Sequence, residues 1–265
     1  ISAVALINSV GLSRLAEQTQ GSAPAAQVNA LGLRVADLEQ QGLLVRVDRP
    51  INKDTELQPL VRWQFVGGVP ESERRAFLFT NVVNGKGKKY DIPVVVGALA
   101  ANREIYSVGM GCKIEDIGKT WTHAINNPIR PNVVTSAPCQ EIVVQGKDLL
   151  KPGQGVDSLP IPISTPGWDN APYTTLSQYI SKDPETGIQN MGIYRGQVKS
   201  PTRLGMNPSL ENQPGIYTHW EKAKAKGQKL AAAVPEFKPY ATMTAQDVDD
   251  CRDETASKSE APPAP

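Results

Sequence analysis

Apolar and polar positions alternate with two different periods along this chain, and the change between them outlines its organisation. In "VNALGLRVADLEQQGLLVRVDRPI" (28–51), Leu31, Val35 and Leu38 recur at helical spacing and Gly42 offers a stop. The following "LLVRVDRPI" alternates like a strand and ends at Pro50. "INKDTELQPLVRWQF" reads as a helix capped by Asp54 or Thr55, with Pro59 near its first turn. "RAFLFTNVV" predicts a strand, "NGKGKK" a loop and "IPVVVGALA" a buried strand. Helix and strand thus alternate through the first part, the pattern of an α/β layer. "NREIYSVGMGCKIEDIGKTWTHAINN" then predicts a helix pair broken by glycine, and "QEIVVQG" (140–146) a strand.

The texture changes from about residue 100, and from residue 159 Pro and Gly accumulate. "LPIPISTPGWDNAPY" is too rich in Pro and Gly for regular structure and reads as an ordered surface loop. "YTTLSQYIS" and "IQNMGIYRGQV" flank the turn "KDPETG" and predict a hairpin, since Asp183, Pro184 and Gly187 suit turn dihedrals. In its second strand Asn190, Gly192, Tyr194 and Gly196 share one face, while Met191, Ile193, Arg195 and Gln197 share the other. Asn190 and Arg195 therefore point apart unless the strand bulges or twists, and the glycines flanking "IY" make such a break or a close backbone approach the expectation. "HWEKAKAKGQKL" (219–230) reads as a helix stopping at Gly227, with a solvated lysine face. Regular structure is expected to fade after "AAAVPEF", and "DDCRDETASKSEAPPAP" has the composition of a disordered tail. The opening "ISAVALINSVGLSRLAEQ" is either an amphipathic helix or the trimmed edge of a longer reading frame, joined to the rest by "TQGSAPAAQ".

Composition narrows the function classes. The chain has 265 residues, and Lys+Arg (28) against Asp+Glu (27) leaves a net charge of +1, so nothing steers it toward nucleic acid or an anionic membrane. No stretch approaches the roughly 18 apolar residues of a membrane span. Cys112, Cys139 and Cys251 are far apart and lack ligand spacing, which fits a reducing, cytoplasmic setting. With only His123 and His219, a Ser-His-Asp triad or a His-rich metal site is hard to build. "GMGCKIEDIG" lacks the full pattern of a phosphate loop.

Several motifs together resemble the UbiD family of reversible, non-oxidative (de)carboxylases that use prenylated flavin mononucleotide. They are "APCQE" (137–141), "LPIP" (159–162) leading into "PYTT" (172–175), and "KDPETG" followed by N-x-GIYR-x-QV (182–198), with "LEQQGLLVRVDRPINKDTEL" (38–57) similar to the family's opening helix and strand. The resemblance covers roughly residues 30 to 234. It implies an α+β chain with four parts: an extension (1–29), an N-terminal α/β domain (30–130), an incomplete split β-barrel of the flavin-reductase type (131–234) and a tail (235–265). It places the family's metal-ligating Asn at Asn190. The cofactor contacts fall on Ile193, Tyr194, Arg195, Met206 and Asn207, and Arg195 also belongs to the catalytic network beside the substrate carboxylate. The implied cofactors are prenylated FMN, Mn²⁺ and K⁺. The residue types suit that chemistry: an amide oxygen is a neutral ligand for a hard cation, and a guanidinium is a planar fork for a carboxylate.

The chain departs from the family pattern after Gly205 and Met206. The family's second metal ligand is a histidine; here Glu211, Asn212 and Gln213 occupy that stretch, and the Glu211 carboxylate is the candidate substitute. The family's catalytic glutamates and its C-terminal α/β domain, which closes on the site and drives oligomerisation, have no counterpart. The expectation is therefore a decarboxylase of aromatic or α,β-unsaturated carboxylic acids in fragment or subunit form, working as a homo-oligomer or with a second subunit. The alternatives are a non-catalytic structural or regulatory subunit and a generic FMN-binding split barrel with reductase chemistry.

Overall fold

The computed structural model describes residues 4–6, 30–129, 143–208 and 211–234. The first half is built on a four-stranded sheet in the order β1 (Val4–Leu6), β7 (Val94–Val96), β4 (Ala76–Phe79), β2 (Leu44–Val47). The β2–β4 pair is parallel and the others antiparallel. Strand alternation sorts its side chains onto two cores. Ala76, Leu78 and Val95 pack with Val35 and Leu38 of α1 (Ala30–Gln40) and Ile105 of α3 (Arg103–Met110). Phe79, Val94 and Val96 face the other way, onto Leu57 and Val61 of α2 (Leu57–Val66). The run "VVV" is apolar at every position because both of its faces are covered.

A small sheet of β3 (Ile51–Asn52), β5 (Val82–Val83) and β6 (Lys89–Tyr90) flanks that second core. The expected strand "RAFLFTNVV" is therefore two strands in two sheets, broken at Thr80 and Asn81. α3 starts at Asn102, whose side-chain oxygen accepts the Ile105 N–H (2.7 Å), and stops at Gly111 in the left-handed region (φ 62°). α4 (Ile117–Asn126) completes the expected helix pair. α2 begins after Glu56 rather than Asp54 or Thr55, with no side-chain cap. Val4–Leu6 form a strand against β7, which corrects the helical alternative for that stretch.

The second half holds two antiparallel three-stranded sheets. One runs β10 (Gln189–Ile193), β9 (Gln178–Lys182), β13 (Ala232–Ala233); the other runs β12 (Arg203–Gly205), β11 (Gly196–Ser200), β8 (Tyr173–Thr174). They do not close into a barrel among the described residues, so the architecture is a mixed α/β one with small sheets. α5 (Gly215–Ala225) begins four residues before its expected start at His219 and gives way to Gly227 (φ 67°). The expected strand "QEIVVQG" falls partly outside the described residues, and Val143–Gln145 carry no strand. The tail, Cys139 and Cys251 also lie outside them. The halves share a core: Ile161, Val156, Leu159 and Val198 pack into the cluster around Phe79. At that seam the buried Lys53 ammonium donates to the Ile161 carbonyl (2.8 Å) and to Asp54 (2.6 Å).

Candidate functional site

The hairpin forms as its turn chemistry requires. The Asp183 side chain accepts the N–H groups of Glu185 (2.8 Å) and Thr186 (3.3 Å), and Gly187 takes φ 71°. β9 and β10 then pair from Gln189↔Lys182 to Ile193↔Gln178. Beyond Ile193 the pairing changes. The Tyr194 N–H donates to the Ser177 carbonyl (3.2 Å), the Gly196 N–H donates to Thr174 Oγ1 (2.9 Å), and β11 pairs with β8. Both arms of the hairpin break at the same level, at 175–177 and at 194–195, and pass from one sheet to the other. The break expected in "NMGIYRGQV" is this crossover. Its glycines are close approaches: a Cβ on Gly192 would meet the Tyr194 ring at 2.6 Å, and one on Gly196 would meet the Tyr179 hydroxyl at 2.5 Å.

On one side of the crossover, α5 covers the face that carries Asn190. Gly215 lies so close to the Asn190 amide that a Cβ there would collide with it. The Tyr194 ring folds back over Gly192, which brings its phenol oxygen near the donors of the Ile216 backbone and the Asn190 side chain. Burial pushes that phenol's pKa up, against the lowering effect of those two donors. One turn on, His219 Nδ1 and Ser181 Oγ are 2.9 Å apart and buried. Two turns on, Lys222 donates to Asp183 (2.6 Å). Ser181 is the direct cross-strand partner of Asn190, so these contacts fasten the helix along one stripe of the hairpin.

On the other side, Arg195 belongs to a different group. Its Nη2 donates to Asp169 Oδ2 (2.7 Å), and its guanidinium carbon sits 4.3 Å from the centre of the Tyr173 ring. The same Asp169 oxygen accepts the Thr165 N–H (3.0 Å). The Asp169 side chain is 12% exposed and that of Arg195 49%. The loop carrying Asp169 is tied to β11, since Gln197 Nε2 donates to Asn170 Oδ1 (2.6 Å) and the Val198 N–H to the Pro172 carbonyl (3.0 Å).

Of the residues singled out by the sequence, Ile193, Tyr194 and Arg195 lie together at the crossover, with Ile193 and Arg195 half exposed and Tyr194 turned toward Asn190 and α5. Asn190 and Arg195 do not share a partner. Met206 is half-buried just after β12, Asn207 is exposed, and Glu211 is exposed in the turn before α5. Among the described residues no group of three His, Cys, Asp or Glu side chains is arranged to hold a metal ion. A hard divalent cation takes about six oxygen ligands, and Asn190 with Glu211 does not make such a set. Asn190 and Glu211 are thus at most two of the donors such an ion needs. A flavin finds apolar surface at Ile193 beside guanidinium donors that, among the described residues, are not all spent, and among those residues the buried Ser177 hydroxyl at the crossover has no hydrogen-bond partner. Pattern reading missed Asp169 as the partner of Arg195, because the pair spans 26 residues and no local period reports it. It also missed Gly215, which matters only because Asn190 lies against it.

Comparison with known proteins gives this geometry a context. Residues 35–125 match the sequence model of the 3-octaprenyl-4-hydroxybenzoate carboxy-lyase N-terminal domain (UbiD_N), and residues 132–248 match that of the Rift-related domain (UbiD). An uncharacterised protein of Aquifex aeolicus is 31% identical over 223 residues, 76% of this chain and 42% of its own length. An evolved dimeric form of the UbiD-class enzyme HmfF from Pelotomaculum thermopropionicum, solved with prFMN, is 30% identical with a TM-score of 0.63, over 78% of this chain and 44% of that one. The apo 3,4-dihydroxybenzoic acid decarboxylase of Enterobacter cloacae is 26% identical with a TM-score of 0.62, over 78% and 42%. The chain thus spans about two fifths of the length of the relatives it matches.

Proposed function

The chain belongs to the UbiD family of carboxy-lyases, and on that premise we propose that it supplies the cofactor-facing part of a non-oxidative decarboxylase. The substrate class is an aromatic or α,β-unsaturated carboxylic acid, and the cofactor is prenylated FMN. The observation that carries this reading is the placement of Arg195 at the crossover: one guanidinium edge is bound by Asp169, the side chain is half exposed, and Ile193 stands beside it. The open edge of that fork can orient a carboxylate or a flavin acceptor. Ile193 and Met206 would exclude water from one side of the ligand. When bound, the modified flavin supplies the electron sink for the charge left as CO₂ departs. The Mn²⁺ and K⁺ that the resemblance implies would need donors beyond the described residues, with Asn190 giving at most one.

The relatives are more than twice as long as the part matched here. The chain would work as a homo-oligomer or with a polypeptide that carries the remaining half, in the cytoplasm. The competing reading, a non-catalytic subunit, draws on one feature: among the described residues, the carboxylate bonded to Arg195 is Asp169, which is already held by a backbone N–H in its own loop.

The test is to co-express the chain with a flavin prenyltransferase and to measure bound cofactor by absorbance and mass spectrometry. Flavin is expected to copurify, and Arg195→Ala to weaken FMN binding at least about tenfold, the effect of losing a charge-assisted hydrogen bond. No flavin uptake, alone or with a polypeptide supplying the remaining half, sinks the proposal.

A further inference from the structure

The guanidinium of Arg195 is held on two sides by groups outside the hairpin's second arm. Asp169 takes one Nη2 donor at 2.7 Å, and the Tyr173 ring lies against the planar face, its centroid 4.3 Å from the guanidinium carbon. Asp169 is itself fixed, since its Oδ2 also accepts the Thr165 N–H and its side chain is largely buried. A flexible four-bond side chain that is half exposed ordinarily samples many rotamers, and an arginine held through one edge and one face keeps its remaining donors aimed in one direction. The bond to Asp169 uses one nitrogen, and among the described residues the fork's other donors are left for a ligand.

We propose that Asp169 is a positioning residue, which with Tyr173 brackets Arg195 so that its free edge faces the flavin and carboxylate. This rests on the function proposed above. Asp169 does not touch the reacting atoms in this scheme; its effect passes wholly through Arg195. Two consequences separate it from an ordinary loop staple. The mobility of the Arg195 side chain must rise when the Asp169 charge is removed, and any loss of ligand binding must disappear when Arg195 is absent.

The test uses the whole chain in two measurements. The first is the rate at which phenylglyoxal modifies Arg195, followed by peptide mass spectrometry, in the wild type, Asp169→Asn and Asp169→Glu. Asp169→Asn keeps an acceptor for the Thr165 N–H, so the loop is retained while the charge is lost. We expect about a threefold to tenfold faster modification in Asp169→Asn, from the loss of a charge-assisted hydrogen bond, and a return toward the wild-type rate in Asp169→Glu. An unchanged rate in Asp169→Asn overturns the proposal. The second measurement is FMN affinity by fluorescence quenching in a double-mutant cycle of Asp169→Asn and Arg195→Ala. A loss of affinity on Asp169→Asn that vanishes in the Arg195→Ala background supports positioning, and an equal loss in both backgrounds overturns it. If neither the wild type nor any variant binds FMN, the flavin reading fails, and the modification rates still decide whether Asp169 holds Arg195.

Discussion

The two halves of this protein bury different things. In the first, the four-stranded sheet buries Leu78, Phe79, Val94 and Val96 completely, with helices on both faces. In the second, buried polar side chains are hydrogen-bonded to neighbouring elements: Thr174, Ser181, Gln197 and His219. Apolar burial is non-directional and holds a sheet together whatever its neighbours' exact geometry. Polar pins fix particular atoms, because a buried donor left unpaired is costly. The half that holds Asn190, Tyr194 and Arg195 relies more on such pins. The other half relies more on hydrocarbon, with Lys53, Gln64 and Asn102 as its buried hydrogen-bonded exceptions.

The most severe way to break that contrast is in the hydrocarbon half. Phe79→Ala empties a fully buried site that stacks on Phe77 at 6.0 Å and is expected to cost about 3–5 kcal/mol, measured by urea unfolding. A cost below about 1 kcal/mol would mean that this core is not the protein's main support. A smaller effect is expected at the seam. Lys53→Met removes the ammonium that joins Asp54 to the Ile161 carbonyl across the halves. It should cost about 1.5–3 kcal/mol, the range for hydrogen bonds to a charged group. It should also separate the unfolding of the second half from that of the first, seen as two transitions by tryptophan fluorescence and circular dichroism. A single coincident transition in Lys53→Met would show that the shared apolar cluster around Ile161 couples the halves without the lysine.

The same contrast explains what the sequence made legible. In the first half the signals are local: Gly42 and Gly111 stop helices in the left-handed region, and "VVV" announces a strand covered on both faces. The breaks at Thr80–Asn81 and at 175–177 were hidden, because an alternating run keeps its period when it changes sheets; only the hydrogen-bond partner changes. At Tyr194–Arg195 the flanking glycines betrayed the break, since each marks a place where a ring or hydroxyl approaches the backbone. Arg195 and Asn190 were found through family resemblance and not through any period. What each of them touches was not legible: Asp169 and Gly215 become neighbours only through the loop before β8 and the docking of α5. The split barrel implied by the resemblance is represented here by two small sheets without closure among the described residues.

The smallest expected effect tests the pins on the solvent edge of the second half. Lys222 holds the Asp183 carboxyl down to about 2, from an ordinary 3.8, helped by the N–H groups of Glu185 and Thr186; the Asp183 carboxylate, joined by that of Glu185, raises the Lys222 pKa above its ordinary 10.5. A carboxyl depressed on folding stabilises the protein above its unfolded pKa, and the gain is lost as pH falls through the folded value. A raised lysine stabilises it below about 10.5, with the gain lost as pH rises through the folded value. The clamp between hairpin and α5 should thus contribute evenly across neutral pH, fade between about 4 and 2, and fade again in strong alkali. Asp183→Asn keeps an acceptor for the Glu185 N–H and removes the charge, so its urea midpoint should lie below the wild type's at pH 7 and converge on it toward pH 2. Salt should shrink the neutral-pH gap, because the pair sits where solvent screens it. If the gap between the two proteins stays constant from pH 7 to pH 2, the Lys222–Asp183 pair does not fasten α5. The placement of Asn190 would then rest on the Tyr194 and His219 contacts alone.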